Sequence, residues 1–116
     1  MKTGMAMILK YVLTFVAALI AFSILLENDV SWVLLLSLVA AVLNYLIGDL
    51  FILPSLGNLV ASVGDGIMAA LVAYVFDVLV PEFLISAAAL VWFAVLIAIG
   101  EFFFHEYIRR QEEVAP

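Results

Sequence analysis

The sequence predicts an all-α membrane protein of four transmembrane helices, arranged as two tandem helical hairpins. Three observations carry this. Of the 116 residues, 69% are hydrophobic and 12% charged, with a mean hydropathy of +1.35, against ~45–50% apolar and ~25% charged in soluble domains. Four apolar runs each reach the ~20 residues that cross a bilayer. The segments between the runs are short enough only for tight reversals. A soluble chain of this length leaves much of its surface wet and has no room to bury so much apolar area. The whole of 1–116 is therefore read as a single transmembrane domain with lipid as its solvent.

The first helix is expected over about 8–26. Lys2 and Lys10 before or within it suggest a secretory signal, but the apolar core is long. No small-x-small cleavage pattern precedes Glu27-Asn28-Asp29-Val30, so the segment is read as retained. The second helix, 30–53, stops at Pro54, where a missing N–H does least harm. In the turn that follows, Gly57 suits a helix end and Asn58 an N-cap for the third helix, 59–80. Pro81 and Glu82 separate that helix from the fourth, 83–104. Backbone groups in hydrocarbon must find partners within their own segment, which makes helices the expected form of all four runs.

All four basic residues, Lys2, Lys10, Arg109 and Arg110, lie near the chain ends. Cytoplasmic flanks are enriched in Lys and Arg, so both termini are expected on the cytoplasmic side. Tyr11, Phe102 to Phe104 and Tyr107 then fall near the inner interface and Trp32 near the outer one. The absence of cysteine excludes disulfides, thiolate metal sites and cysteine nucleophiles.

An offset of 52 residues aligns the chain with itself without a gap. VAALIAFSILL (16–26) then lies over MAALVAYVFDV (68–78), and LIGDLFIL (46–53) over AIGEFFFH (98–105). Gly48 meets Gly100 and Asp49 meets Glu101. Two hairpins repeated in the same orientation would be related by a pseudo-twofold axis along the membrane normal.

The unusual residues are the polar ones within the spans: Asn44, Asp49 and Asp65. A charge at mid-bilayer costs at least ~2.5–3.5 kcal/mol. Counted from the turn near Leu56 at 1.5 Å per residue, both aspartates lie roughly 10–14 Å deep on neighbouring helices. Asp49 also approaches the negative end of its helix dipole, so a partner or a proton is expected. Lys10 is one candidate partner for Asp65 or Asp49; the alternative has it snorkelling to the interface. The two aspartates are read either as an ion or proton site or as polar glue between helices 2 and 3. Glu101 and His105, four residues apart on helix 4, are expected to form a surface pair at its inner mouth. Asp77 and Glu82 are expected to be solvated. Gly48 precedes Asp49, and Gly64 and Gly66 flank Asp65; with Ser62 and Ala70 they are read as a packing face.

No strand or phosphate-binding lysine accompanies the Gly64-Asp65-Gly66 triplet, so it is not a nucleotide motif. Val63-Gly64-Asp65-Gly66 carries only a fragment of the intramembrane aspartyl protease signature, and four helices offer little room for a substrate helix. No catalytic constellation, metal site, cofactor or nucleic-acid partner is expected.

The central segment LNYLIGDLFILPSLGNLVASVGDGIMAAL (43–71) resembles the middle of the YndM-like family, small four-helix membrane proteins of Gram-positive spore-forming bacteria. The matching positions are Gly48, Asp49, Ile52, Leu53, Pro54, Gly57, Asn58, Ala61 and Asp65. The resemblance covers about a quarter of the chain. It implies a bacterial plasma-membrane location and a four-span fold, and it brings no activity with it. Two functions are carried forward. One is a small oligomeric protein, a dimer in the simplest case, that conducts or transports a cation or proton through Asp49 and Asp65. The other is a non-catalytic module that binds a partner membrane protein or takes part in envelope stress or sporulation.

Overall fold

The computed structural model describes residues 3–114, with side chains placed for 4–107. Lys2 and the side chains of Arg109 and Arg110 lie outside the described residues. The chain is all-helical, with no strand among those residues. Three helical stretches are long and apolar enough to cross a membrane: Gly4–Ile24, Val30–Leu79 and Ala87–Tyr107. The outer surface carries large apolar side chains throughout, among them Phe51 at 70% and Leu79 at 72% exposure. So continuous an apolar exterior belongs in lipid and not in water.

The first stretch is α1, Thr3–Ala18, continued by a π-helical turn at Leu19–Ile24. Asp29 caps the next helix by accepting from Ser31 N at 3.0 Å and Ser31 Oγ at 2.9 Å, which holds its carboxyl below the usual carboxylate range. That helix, α2, spans Val30–Leu43 and passes into a nine-residue π-helical segment, Asn44–Ile52. Helix α3, Leu53–Leu79, follows directly, but Gly57 breaks it with φ 87° and ψ 175°. A side chain there would hold a backbone conformation costing about 1–3 kcal/mol, which is why glycine occupies it.

The 50-residue stretch 30–79 therefore doubles back at Gly57. Gly48 and Asp65, 17 residues apart, touch across the two arms, and a Cβ on Gly48 would overlap Asp65 Oδ1. Helix α4, Ala87–Val114, packs mainly on α3, and α1 packs on α2 and α4.

Several expectations shift, and the first helix already runs from Thr3 to Ile24 in place of 8–26. The turn pivots on Gly57, with Pro54 inside the first turn of α3. Helix α4 starts at Ala87 instead of Phe83, because Pro81 interrupts the helix and Leu84 is held elsewhere. Asn28, buried between the hairpins, donates to Phe22 O at 3.0 Å and Leu84 O at 2.7 Å and accepts from Leu84 N at 2.7 Å. Asn58 does not cap α3, since its side chain turns inward to α4.

The interior divides into two halves. Toward the Asn28 end it is an apolar core in which Phe22 meets Phe83 and Phe93 with centroids 5.4 and 5.0 Å apart. Toward the Gly57 end it is polar. Asn28→Ala strands the Leu84 N–H and carbonyl, while Phe22 O keeps the backbone N–H of residue 28, and is expected to cost about 1–3 kcal/mol in a denaturant-unfolding measurement.

Candidate functional site

Five ionisable side chains from four helical segments converge in the polar half. Lys10 comes from α1, Asp49 from the π segment, Asp65 from α3, and Glu101 and His105 from α4. Lys10, Glu101 and His105 are fully buried and Asp65 nearly so. The Lys10 ammonium donates to Glu101 Oε2 and, at 3.1 Å, to Asp49 Oδ1, and lies 3.9 Å from Asp65 Oδ2. Its Nζ also sits 5.1 Å from the centroid of the Phe104 ring, within cation–π range. His105 Nε2 faces three carboxylate oxygens: Asp49 Oδ1 at 2.9 Å, Asp65 Oδ2 at 3.2 Å and Glu101 Oε2 at 3.2 Å.

Local backbone geometry makes this meeting possible. In an α-helix of 3.6 residues per turn, residues five apart diverge by about 140°. A π-helix bonds i to i+5 and brings such residues nearly into line. Asn44 and Asp49 are five apart within the π segment, and both point inward. Asn44 Nδ2 donates weakly to Asp65 O at 3.4 Å. Gly48 supplies the space for the Asp65 carboxylate. On α4 the i, i+4 spacing puts Glu101 and His105 on one face, and α3 and α1 cover that face.

An outer layer orients the histidine. His105 Nδ1 lies 2.7 Å from Asn58 Oδ1 and 3.2 Å from Ser62 Oγ, and Ser62 donates to Asn58 Oδ1 at 3.0 Å. Asn58 Nδ2 donates to Phe102 O and Glu106 Oε1, each at 2.9 Å. On the lysine side, Thr14 Oγ1 donates to Lys10 O at 2.8 Å.

The centre is short of donors. Glu101 Oε1 and Asn44 Oδ1 are buried with no hydrogen bond. Asp49 Oδ2 has the Lys10 ammonium nearby and Asp65 Oδ2 the His105 ring nitrogen, but neither makes a bond of good geometry. Three carboxylates face one lysine. A charged histidine would still leave one negative charge uncancelled in an interior where unpaired charge is expensive.

The structure gathers Asp49, Asp65, Asn44 and Lys10 in one place, and it draws in Glu101 and His105, which were expected at the surface. Lys10 does not snorkel. An i, i+4 Glu–His pair reads the same on a wet face as on a buried one, and only the position of α1 decides. Gly66 is a close-contact glycine, where a Cβ would meet Ala94 O at 2.4 Å, while Gly64 has only Ile52 Cδ1 at 3.8 Å. Thr14 carries no signal in the sequence beyond being polar within an apolar run, and Asn28 and Asn58 read only as turn residues.

The chain belongs to the family described as Protein of unknown function (DUF2512), whose model matches residues 1–114. The family match spans nearly the whole chain and takes in segment 43–71. No curated protein and no solved structure matches it.

Proposed function

We propose that this member of the family is an oligomeric membrane protein that binds a cation or protons at the Lys10–Asp49–Asp65–Glu101–His105 centre and passes them across the bilayer. The observation that carries this is the charge count. Three buried carboxylates against one lysine need two more positive charges, which two protons or one divalent cation can supply. Ionisable groups inside a membrane are expensive and mark ion and proton pathways more often than they serve as structural glue.

In this reading the chain crosses the plasma membrane of a bacterium four times, reversing at Gly57, with both termini cytoplasmic. Lys10 is committed to the centre, so Lys2, Arg109 and Arg110 remain as the basic flanks that set the orientation. The charge centre then lies toward the cytoplasmic side. Four short helical arms enclose little space, so a second copy completes the pathway. Duplication of one hairpin accounts for the layout: the 52-residue offset carries Gly48 to Gly100 and Leu13 to Asp65, and Gly48 closes on Asp65 as Gly100 closes on Leu13. The two halves have since diverged in charge, with Ser62 at the position equivalent to Lys10 and Leu53 at that of His105.

Flux in proteoliposomes tests the proposal, with protons, sodium, potassium and divalent ions assayed separately. Wild-type flux is expected to fall to the level of empty liposomes in Asp49→Asn/Asp65→Asn. A folded wild type that carries none of these ions would refute conduction and favour a module that docks on a partner membrane protein.

A further inference from the structure

His105 is oriented from outside the charge centre. Asn58 Nδ2 donates to the Phe102 carbonyl oxygen, which only the nitrogen of an amide can do, so Oδ1 is the atom facing His105 Nδ1 at 2.7 Å. That contact needs a proton on Nδ1. In the neutral ring, Nε2 then presents a bare lone pair to three carboxylate oxygens 2.9 to 3.2 Å away. Four electron-rich atoms converge there, and the Lys10 ammonium, which donates to Glu101 Oε2 and Asp49 Oδ1, leaves Asp65 Oδ2 and Nε2 without a proton between them. A metal-ligating histidine is held in this way, its outer N–H donated to an oxygen so that the inner nitrogen can coordinate.

We propose that His105 Nε2 and the carboxylates of Asp49, Asp65 and Glu101 bind one divalent first-row transition ion of the Mn2+ or Zn2+ type, with Asn58 as the positioning residue. The proposal rests on the reading that the centre holds a cation, and it names the class. One oxygen from each carboxylate and one ring nitrogen of His105 all lie within 4.8 Å of one another. Ligands ~2.0–2.2 Å from a common ion are at most ~4.4 Å apart, when trans, so the side chains must draw together around the ion to close the site. Asp65 Oδ2, beside Nε2, has no hydrogen bond although its side chain is 2% exposed, and fully buried Glu101 keeps Oε1 unbonded. With Lys10 charged and His105 neutral, a divalent ion brings the centre to zero charge, whereas a monovalent ion leaves one buried negative charge. An imidazole beside carboxylates suits Mn2+, Fe2+ and Zn2+ better than alkali ions or Mg2+, and without a thiolate nothing favours Cu+.

The test uses the full chain purified in detergent, stripped with a chelator, titrated with Mn2+ and read by electron spin-echo spectroscopy. One Mn2+ per chain is expected, with modulation from a directly bound imidazole nitrogen, displaced by Zn2+ but not by excess Mg2+ or Na+. Glu101→Gln should weaken binding at least tenfold, His105→Gln should abolish the nitrogen modulation, and Asn58→Ala should weaken binding about 10–100-fold. A wild-type chain that retains neither Mn2+ nor Zn2+, or that binds Mn2+ without nitrogen modulation, overturns the proposal with no variant needing to fold. Proton or sodium flux through a chain that binds no metal would sink the metal site and leave the cation reading standing. Mn2+ bound with nitrogen modulation in a chain that carries no ion would do the reverse.

Discussion

Lys10→Met is expected to lower the unfolding free energy by about 3–5 kcal/mol, the range found when one partner of a buried ion pair is removed. Methionine keeps most of the stem volume, so the loss reports the ammonium, with its ion pairs and its cation–π contact to Phe104, and not a cavity. Without it, Asp49, Asp65 and Glu101 face each other with only His105 between them. The packing around Lys10 makes escape difficult: Nζ is fully enclosed, and no snorkelling path is open to a replacement charge. Reversible unfolding in mixed detergent micelles, followed by circular dichroism, measures the effect. A loss under ~1 kcal/mol would match an exposed pair and contradict the buried placement.

The second large effect separates two glycines that look alike in the sequence. Gly66→Ala puts a Cβ 2.4 Å from the Ala94 carbonyl oxygen and 3.3 Å from Ala98 Cβ. Backbone cannot swing aside as a side chain can, so α3 and α4 must separate. Because α3 and α4 form the most extensive helix pair in the fold, the expected cost is about 1–3 kcal/mol or more. Gly64→Ala meets only Ile52 Cδ1 at ordinary contact distance. It should be neutral or stabilising by up to ~1 kcal/mol through helix propensity. Comparing the two unfolding midpoints in one detergent checks both, and equal effects would contradict the described packing of α3 on α4.

Much of the architecture is legible in the residues. The apolar runs mark the helical stretches, and Gly57, placed at a turn, takes a positive φ of 87°. Similar counts from the turn near Leu56 put Asp49 and Asp65 at comparable depth, and the structure brings them to the same lysine and histidine. The 52-residue offset pairs Asp49 with Glu101, and both carboxylates contact Lys10.

The rest was hidden for identifiable reasons. The π segment at 44–52 has no propensity signature, yet it decides which way Asp49 points relative to Asn44. Asn58 looks like an N-cap because asparagine is good at that role, and only the nearness of Phe102 and His105 shows that it serves a different one. Helix α4 starts late because Asn28, 56 residues away, ties down Leu84. Those are tertiary contacts, which local sequence does not encode.

The central claim is that Lys10 and the carboxylates form one electrostatic unit, and a double-mutant cycle tests it most directly. Unfolding free energies would be measured for Lys10→Met, Glu101→Gln and the double variant. The account predicts that Glu101→Gln recovers much of what Lys10→Met loses, because it removes a carboxylate that Lys10 no longer balances. The coupling should then reach about 1–3 kcal/mol. Additivity within ~0.5 kcal/mol would mean that the two side chains do not share a site, and the charge centre would fall with it.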